Sequence, residues 1–429
     1  MKCSIIVFLA VCWLIGCVEA EYDEDWPMYM HDVQHTGYSP SRMQTPLKEL
    51  WRHEKYGIDE LRIPFDPDYK GSYTRFVISD EKVLVLLHPS MIFSLDVKRG
   101  SLLWSVQPDE LDTLLWSFPA ATDDRMYAGM SNKILCLDSD TGDVLWSHET
   151  ANLNFMSSPV IINNYVFVGG GEPGGSPFTA SEKTIELYER ALNQARRVLC
   201  LHADTGEIVW EFYADDFTEF APAYFNDRIF VNAGRNVYCL NADTGALIWG
   251  KRITWTSSSS LSLDGKRIFV GTFDGVICLD IETGDLMWTF SSDRIHYLET
   301  PAVAHDKVYV GGLNGVFYCL DACSGELVWE IETESRIISS AVIGDENVIF
   351  GTEEGTLYIV NAQSGEIIEN HELGNGITTL ALSKGRLIVG QENGRIICFG
   401  NPSNHWYLFV VFMVITGIVA YRIRENGIF

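Results

Sequence analysis

The chain has 429 residues, of which 58 are Asp or Glu and 31 are Lys or Arg, so its formal net charge is −27. Such a charge repels phosphate backbones and anionic lipid headgroups, which argues against nucleic-acid binding and favours basic or cationic partners. Hydrophobic residues make up 47% of the chain, enough to bury a sizeable core in two or three domains or in one large repeat domain.

The first 20 residues have the pattern of a secretory signal peptide. Lys2 precedes the apolar stretch 4–16, and residues 18–20 (Val-Glu-Ala) offer a small-x-small cleavage site. A second interpretation starts from residues 14–17 (Leu-Ile-Gly-Cys), which resemble a bacterial lipobox and would make Cys17 a lipidated residue. Both interpretations predict an exported protein.

Residues 21–45 form a lead-in that contains two histidines four residues apart, His31 and His35. On one face of a helix, two such imidazoles can bind zinc. However, Gly37 and Pro40 follow at once and no third ligand is nearby, so a structural role is favoured.

Residues 46–400 consist of repeats that predict an all-β fold, an eight-bladed β-propeller. A unit such as 300–332 contains four short apolar stretches separated by turn residues, the pattern of four strands. A period near forty with four strands per unit is typical of propeller blades. The repeated turn glycines are Gly100, Gly142, Gly206, Gly245, Gly284, Gly325 and Gly365.

The two ends of this region predict how the ring closes. Residues 378–400 supply only three strands of a last unit. Residues 46–54 read as a single strand that carries Trp51 with no Thr-Gly before it. Pairing the two completes the eighth blade and removes the open edges of the ring.

The recurring corner LCLDSDTGDVLWS (135–147) places a tryptophan four residues after its glycine. The glycine supplies the positive φ of a hairpin, Asp and Thr bind turn amides, and the large ring can wedge between neighbouring blades. Seven of the eight blades carry this predicted blade-docking residue, and the remaining one has Glu369 instead. The seven are Trp51, Trp104, Trp146, Trp210, Trp249, Trp288 and Trp329.

A calcium loop is the alternative interpretation of these corners. Asp138, Asp140 and Asp143 alternate, and Glu149 falls at the twelfth position of an EF-hand count. The glycine, however, stands at the fifth position rather than the sixth, and sibling corners replace the carboxylates with residues such as Asn241 and Ser324. We therefore predict a structural turn, with no metal ligands and no catalytic residues.

One blade contains an insertion, residues 172–195. Its second half has apolar residues at helical spacing, namely Ile185, Tyr188, Leu192 and Ala195. Two interpretations remain open: a helix packed flat on its own propeller, or a lid or docking element.

The innermost strands begin with small residues, which crowding near the axis explains. Aromatic residues shortly before them could rim the mouth of the central channel, although their offsets vary between blades. These candidates are Trp116, Phe155, Phe220, Trp255 and Tyr297.

Six cysteines occupy one equivalent strand position, one in each of six blades. Because equivalent positions in adjacent blades lie beyond the reach of an S–S bond, buried free thiols are favoured. Cys319 and Cys323 form the one close pair in the mature chain.

After a linker at 401–405, residues 406–421 are uncharged and almost wholly apolar, with aromatic residues at both edges. This stretch predicts a short transmembrane helix, with a buried core helix as the alternative. Arg422 and Arg424 then place the tail 422–429 in the cytoplasm and the propeller on the extracytoplasmic side of a plasma membrane.

The repeated Leu-Asp-x-x-Thr-Gly-x-x-x-Trp string resembles the pyrroloquinoline quinone (PQQ)-like propeller family, as does the opening Trp26-Pro27 with His31-Asp32 and His35-Thr36-Gly37. The resemblance covers roughly residues 26–400. It implies either an enzyme with PQQ and calcium, a carboxylate base and often two adjacent cysteines, or a non-catalytic member similar in architecture to an outer-membrane assembly lipoprotein. The chain has no Cys-Cys pair and no Cys-x-x-Cys-His haem motif.

We therefore predict a membrane-anchored, non-catalytic binding or scaffolding protein at the cell surface, with no cofactor and an unidentified protein partner. The alternative is a PQQ-dependent dehydrogenase of alcohols or sugars. A ligand sensor is a third possibility, but the short cytoplasmic tail gives it little means of signalling. Fold resemblance alone does not decide among them, because one fold hosts many functions.

Overall fold

A computed structural model describes residues 25–43, 45–54, 74–87, 91–107, 117–130, 133–149, 157–170, 196–292 and 298–400. These residues form 33 strands, and none of them is helical. The strands build eight antiparallel four-stranded sheets, one of which gains a short fifth strand. The predicted all-β, eight-bladed propeller is confirmed.

The first four blades follow the chain in simple up-and-down order, each from its innermost strand to its outermost strand. Their strands have the following bounds: β3 (Thr74–Ser79), β4 (Lys82–Leu87), β5 (Met91–Asp96) and β6 (Leu102–Val106) in blade 1; β7 (Ala120–Ala121), β8 (Arg125–Met130), β9 (Lys133–Asp138) and β10 (Val144–Glu149) in blade 2; β11 (Val160–Ile162), β12 (Tyr165–Gly169), β13 (Arg197–His202) and β14 (Ile208–Tyr213) in blade 3; β15 (Ala223–Phe225), β16 (Arg228–Ala233), β17 (Asn236–Asn241) and β18 (Leu247–Arg252) in blade 4.

The next three blades repeat this order, whereas the eighth combines both ends of the propeller. Their strands are β19 (Ser257–Leu263), β20 (Arg267–Thr272), β21 (Gly275–Asp280) and β22 (Leu286–Ser291) in blade 5; β23 (Ala302–Ala304), β24 (Lys307–Gly311), β25 (Val316–Asp321) and β26 (Leu327–Glu332) in blade 6; β27 (Val342–Gly344), β28 (Asn347–Gly351), β29 (Thr356–Asn361), β30 (Ile367–Glu372) and the added β1 (Tyr38–Ser39) in blade 7; β31 (Ile377–Ser383), β32 (Arg386–Gln391), β33 (Ile396–Gly400) and β2 (Lys48–His53) in blade 8.

The ring closes through the N-terminal strand β2, as the sequence predicts. This strand pairs antiparallel with β33, with Lys48 opposite Gly400 and Trp51 opposite Cys398. The innermost strands β3 and β31 also pack together, so blade 8 meets blade 1. Pairing with β2 covers the edge of β33, which would otherwise be open to pairing with other chains.

The hydrophobic core is distributed between neighbouring blades. Cys278 and Phe269 of blade 5, for example, pack in one cluster with Val308 and Tyr318 of blade 6. The largest cluster spans blades 7, 8 and 1 and contains Trp51 of the closing strand. Because every second strand residue enters such a cluster, each blade depends on both neighbours for burial.

Each repeated tryptophan lies against the glycine corner of the next blade. Trp104 of blade 1 donates its Nε1 hydrogen to the Ser139 carbonyl at 2.8 Å, and its ring lies under Gly142. Six of the seven make this hydrogen bond to the next corner; Trp249 lies under Gly284 but its Nε1 has no acceptor among the described residues. A fixed φ of +78° at Gly142 shapes the corner that receives the ring.

Glu369 takes the place of the tryptophan on the outer strand of blade 7. The next blade, blade 8, has no Thr-Gly corner for a tryptophan ring to contact. The outer strand of blade 8 is β2, which arrives from the N-terminus and has no Thr-Gly turn before it. Glu369 Oε1 accepts the Leu47 N–H at 2.9 Å and lies 3.1 Å from His371 Nε2. The missing tryptophan is therefore a consequence of how the ring closes.

Basic residues at the start of the second strand of several blades reach the corner of the next blade. Lys82 contacts Asp140 at 2.8 Å, and Arg125 contacts Asp204 at 2.6 Å. Arg228 pairs in the same way with Glu282 at 2.7 Å. These partly exposed ion pairs help to orient neighbouring blades relative to each other and contribute little to stability.

Several sequence-based predictions fall outside the described residues. They concern the signal peptide and Cys17, the insertion 172–195, the linker 401–405, the span 406–421 and the tail 422–429. Within the described ranges, no helix has the length and apolar character needed to cross a membrane.

Candidate ligand-binding cavity on the propeller axis

The lead-in crosses one end of the ring and contacts all eight blades. Its carbonyl groups accept backbone N–H groups from the inner strands of blades 1, 2, 4, 5, 6 and 7, at 2.7–2.8 Å. Met28 packs on Val160 and Ile161 of blade 3, and Ser41 Oγ accepts the Lys384 N–H of blade 8. The channel is thus covered at this end. The six acceptors are Trp26, Pro27, Val33, Gln34, Thr36 and Gly37.

The two lead-in histidines do not form a zinc site. No helix forms here, because Met30, His31 and His35 all have positive φ values. His35 is fully buried, its Nδ1 donates to the Leu261 carbonyl at 2.9 Å, and burial lowers its pKa so that it is neutral. Asp32 accepts the N–H groups of Gln34 and Thr36. These contacts fit the structural role that the sequence favours.

Hydroxyl groups at the inner strand starts join neighbouring blades. Ser158 Oγ accepts the Phe118 N–H at 2.9 Å, Ser260 Oγ accepts the Ala221 N–H at 3.0 Å, and Thr300 Oγ1 accepts the Ser260 N–H at 3.1 Å. Crowding explains why these residues are small. Their hydroxyl groups also satisfy backbone donors that the short inner strands leave unpaired.

Beyond the lead-in, the channel widens into a cavity of about 460 Å³. Trp26, Tyr29 and Met30 of the lead-in form part of its lining, together with the hydroxyl groups of the inner strands. Six charged side chains also line it, four carboxylates and two guanidinium groups. They are Glu219, Glu299, Glu353, Glu392, Arg75 and Arg336.

Glu299 is a largely enclosed carboxylate that keeps some contact with the cavity. Burial raises its pKa to about 7, and the positive charge of Arg75 opposes that shift. Arg75 itself lies over the Phe118 ring at 4.4 Å and donates to the Thr378 carbonyl at 3.3 Å. Tyr29 donates its hydroxyl hydrogen to Thr300 Oγ1 at 2.7 Å.

The five aromatic residues predicted at the channel mouth divide into three groups. Phe220 lines the cavity. Trp255 does not line it and instead packs against the core between blades 4 and 5. Trp116, Phe155 and Tyr297 lie outside the described residues.

The aromatic lining that the sequence did not single out is Trp26, Tyr29 and Phe118. Two of them come from the lead-in, whose path across the axis does not follow the period of the repeats. The Trp-Pro pair near its start was the one feature of the sequence that could have pointed to this lining.

The Thr-Gly corners use their acidic side chains as backbone acceptors. Asp138 Oδ1 accepts the N–H groups of Asp140 at 3.0 Å and Thr141 at 2.8 Å, and these bonds hold the pKa of Asp138 below its usual value. Asn241 and Asn361 accept the equivalent N–H groups in their own corners. A neutral amide thus fills the same role, as expected for a turn. In the described ranges, no three His, Cys, Asp or Glu side chains gather closely enough to hold a metal ion.

The seven cysteines of the described chain are free thiols. Six are buried, five of them opposite a docking tryptophan within a blade and Cys398 opposite Trp51, and burial raises the pKa of each to about 12. Such thiols are poor nucleophiles. Cys323 is exposed, and its sulfur accepts a hydrogen bond from Arg267.

The sequence matches the family model of the outer membrane protein assembly factor BamB over residues 70–194 and 233–412, more than half of the chain. The chain belongs to this PQQ-like propeller family. Relatives include BamB of Yersinia pestis, 32% identical over 95 residues, and BamB of Shewanella oneidensis, 23% identical over 99 residues. These alignments cover 21% and 22% of this chain and only 24% and 25% of the relatives' lengths.

Solved structures with the same fold include both BamB-type and enzymatic propellers. BamB from Moraxella catarrhalis has a TM-score of 0.62 at 16% identity, covering 84% of this chain and 99% of that one. A quinohemoprotein alcohol dehydrogenase from Comamonas testosteroni has a TM-score of 0.67 at 14% identity, covering 89% and 81%. A europium-containing methanol dehydrogenase has a TM-score of 0.66 at 14% identity, covering 90% and 100%. At these identities the likeness shows the fold alone.

The residues on the axis do not fit PQQ. The quinone carries three carboxylate groups, whereas the cavity presents four glutamates against two arginines, an arrangement that disfavours a polyanion. No cysteine lines the cavity.

Proposed function

We propose that this protein is an exported, membrane-tethered propeller that binds a protein partner and performs no catalysis. The observation that carries the proposal is a set of exposed aliphatic pairs on the outer strands, here called the rim pairs. Seven blades have one each, and each of these residues is 39–56% exposed: Leu102–Leu103, Val144–Leu145, Ile208–Val209, Leu247–Ile248, Leu286–Met287, Leu327–Val328 and Ile367–Ile368.

The rim pairs precede the docking position of each blade and coincide with a β-bulge. In blade 2, for example, the register shifts between Val144 and Trp146, so that Leu145 has no partner on β9. Bulges discourage strand pairing between copies of a chain. The side chains nevertheless stay accessible, and recurring exposed apolar groups are a feature of protein-binding surfaces.

Charge complementarity defines the kind of partner. The chain carries −27 formal charges, so the rim pairs lie on a strongly acidic protein. A partner surface with apolar residues at its centre and Lys or Arg around them would be complementary to it. Membership of a family described by an outer membrane protein assembly factor supports a binding role of this kind.

Export and anchoring belong to the same proposal. Residues 1–20 serve as the secretory signal, or Cys17 is lipidated, and residues 406–421 cross the membrane once. The propeller then lies on the extracytoplasmic side of the plasma membrane. Carbonate extraction of membranes tests the span: the full chain should stay in the pellet, and a chain ending at residue 405 should be released if Cys17 carries no lipid.

Photo-crosslinking in native membranes tests the binding role. One residue of each rim pair is replaced by a photoreactive phenylalanine, for example at Leu145 or Met287, with matched positions at the exposed corner residues Asp143 and Glu282. The same partner should be crosslinked from rim positions and not from corner positions. The double substitution Leu286→Glu/Met287→Glu should abolish its capture at blade 5, whereas Thr254→Glu/Thr256→Glu, which adds the same charge at exposed residues nearby, should not.

Two outcomes would contradict the proposal. Equal crosslinking from rim and corner positions would indicate non-specific contact. Reduction of a dye by the purified protein with PQQ, calcium and an alcohol or sugar would support the dehydrogenase alternative instead.

A further inference from the structure

The axial cavity contains an acidic group for which the described part of the protein supplies no hydrogen-bond or ion-pair partner. Glu299 is fixed through its backbone, because its N–H donates to the Gly311 carbonyl at 3.0 Å and its neighbour Leu298 bridges to Gly312. Its carboxylate makes no hydrogen bond and no ion pair within 4.0 Å in the described ranges. A carboxylate that is held in place, lines a cavity and has no protein partner there is available to a ligand.

The two cations of the cavity each contact a group other than Glu299. Arg75 stacks on Phe118 and donates to the Thr378 carbonyl. Arg336 lies 3.8 Å from Glu353, and its carbonyl also accepts the Glu353 N–H. Arg75 lowers the electrostatic cost of ionising Glu299 without forming a salt bridge to it. The remaining charged groups of the lining are Glu219 and Glu392, both acidic, so four carboxylates and two guanidinium groups line the cavity.

The rest of the lining suits an organic cation with an apolar stem. Trp26, Tyr29, Phe118 and Phe220 supply aromatic surface, and the rings of Tyr29 and Phe118 lie 4.6 Å apart. Aromatic faces attract cations and pack against alkyl groups. The hydroxyl groups of Thr300 and Ser340 add hydrogen-bonding groups close to Tyr29. A cavity of about 460 Å³ accommodates a small molecule or one long side chain.

We propose that this cavity binds an ammonium or guanidinium group, with the Glu299 carboxylate as its counter-ion and the aromatic residues against its stem. The group comes either from a free amine or from a Lys or Arg side chain of a protein. This proposal does not depend on the binding function of the rim.

Titration of Glu299 gives binding a characteristic pH dependence. Burial raises its pKa to about 7, so the cavity contains the carboxylate above that pH and the neutral acid below it. The other charged groups that face the cavity are Arg75, Arg336, Glu219, Glu353 and Glu392, and Tyr29 also titrates there, with a pKa raised by burial. Since only the carboxylate attracts a cation, the apparent affinity should be about tenfold lower at pH 6 than at pH 8.

Calorimetric titration of the full-length protein with n-butylammonium, n-butylguanidinium, n-butanol and butyrate tests the proposal. The two cations should bind at pH 8, about tenfold more weakly at pH 6, and the alcohol and the anion should bind at least tenfold more weakly than either. Glu299→Gln should remove both the binding and its pH dependence. Glu346→Gln, which changes an exposed carboxylate in blade 7, should alter neither.

A second arm distinguishes the two sources of the cation. A short peptide with one central Lys should compete with n-butylammonium if a protein side chain is the ligand, and should fail to compete if the site accepts free amines alone. The proposal is overturned if neither cation binds, if butyrate binds more tightly than the cations, or if binding in Glu299→Gln equals that of the unmodified protein. If Glu299→Gln does not fold, the pH 6 to pH 8 comparison on the unmodified protein decides.

Discussion

At each corner between neighbouring blades, one indole ring lies against one glycine, and the two residues require each other. A Cβ atom at Gly142 would lie 2.5 Å from Cε3 of Trp104, which is far inside contact distance. The same glycine has a φ of +78°, which other residues adopt only with strain. Residues in such mutual contact are expected to respond together to substitution.

Replacement of Trp104 by alanine should lower the free energy of unfolding by about 3–5 kcal/mol, because a buried ring and its hydrogen bond to Ser139 are lost. Gly142→Ala should cost about 1–3 kcal/mol on its own, from backbone strain and the clash with the ring. In the double variant the clash is absent, so the total should fall short of the sum by at least 0.5 kcal/mol, on the scale of about 0.5–3 kcal/mol for coupled neighbours. Urea denaturation of the four proteins measures this, and strict additivity would contradict the docking role.

Glu369 offers a test in the opposite direction. Restoring the consensus with Glu369→Trp should destabilise the protein by about 1–3 kcal/mol, since the Leu47 N–H loses its acceptor and no corner receives the ring. Glu369→Gln keeps an acceptor oxygen and should cost less. Thermal unfolding of both variants distinguishes them, and a stabilised tryptophan variant would show that the corner explanation is wrong.

At the scale of elements, the lead-in acts as a brace across the channel. It depends on a short turn in which Asp32 holds the N–H groups of Gln34 and Thr36. Around this turn, the carbonyl groups of residues 33, 34, 36 and 37 accept N–H groups of blades 4, 5, 6 and 7, respectively. A substitution that loosens this turn should therefore weaken backbone hydrogen bonds in several blades at once.

Hydrogen exchange of Asp32→Ala examines the brace directly. The amides of Tyr224, Leu263, Val303 and Ile343 donate to the lead-in and should exchange at least tenfold faster in the variant. Amides in the middle strands of the same blades should be unchanged. Asp124→Ala, at an exposed carboxylate of blade 2, serves as the control. Unchanged exchange at all four amides would exclude the brace.

Closure by β2 can be tested with engineered cysteines in a background where Cys323 is replaced by serine. Arg52 lies opposite Ile397 on β33, and Ile397 lies opposite Val389 on β32. Arg52→Cys/Ile397→Cys should form a disulfide on mild oxidation, which should raise stability by up to about 5 kcal/mol because the closed loop is long. Arg52→Cys/Val389→Cys, one strand farther away, should stay reduced. The reverse pattern would place β2 elsewhere.

The sequence predicts the elements that repeat and misses those that do not. Blade number and closure by Trp51 could be predicted, because a forty-residue period shows where units begin and end. The path of the lead-in could not be predicted, because its contacts are made by backbone carbonyl groups. Every residue has such a group, so these contacts leave no pattern of side chains in the sequence. The role of Glu299 could not be predicted for a related reason. It precedes the inner strand of one blade and belongs to no repeated motif, so no pattern in the sequence marks it.

At the scale of the whole molecule, the chain presents two distinct surfaces. The outer strands carry apolar pairs on an acidic body, and the axis carries a closed-ended acidic cavity. The four glutamates and two arginines of the axial cavity disfavour a tricarboxylate quinone. One surface lies at the periphery of the ring and the other at its centre, so a bound partner and a bound cation need not compete.

The central claim is that this propeller binds and does not oxidise, and cofactor binding tests it most directly. The purified full-length protein is incubated with excess PQQ and calcium, passed through gel filtration, and examined for quinone absorbance and for dye reduction with alcohols and sugars. Our account predicts that the protein fraction carries no quinone absorbance and reduces no dye. Stoichiometric quinone that stays with the protein, together with substrate-dependent dye reduction, would contradict it.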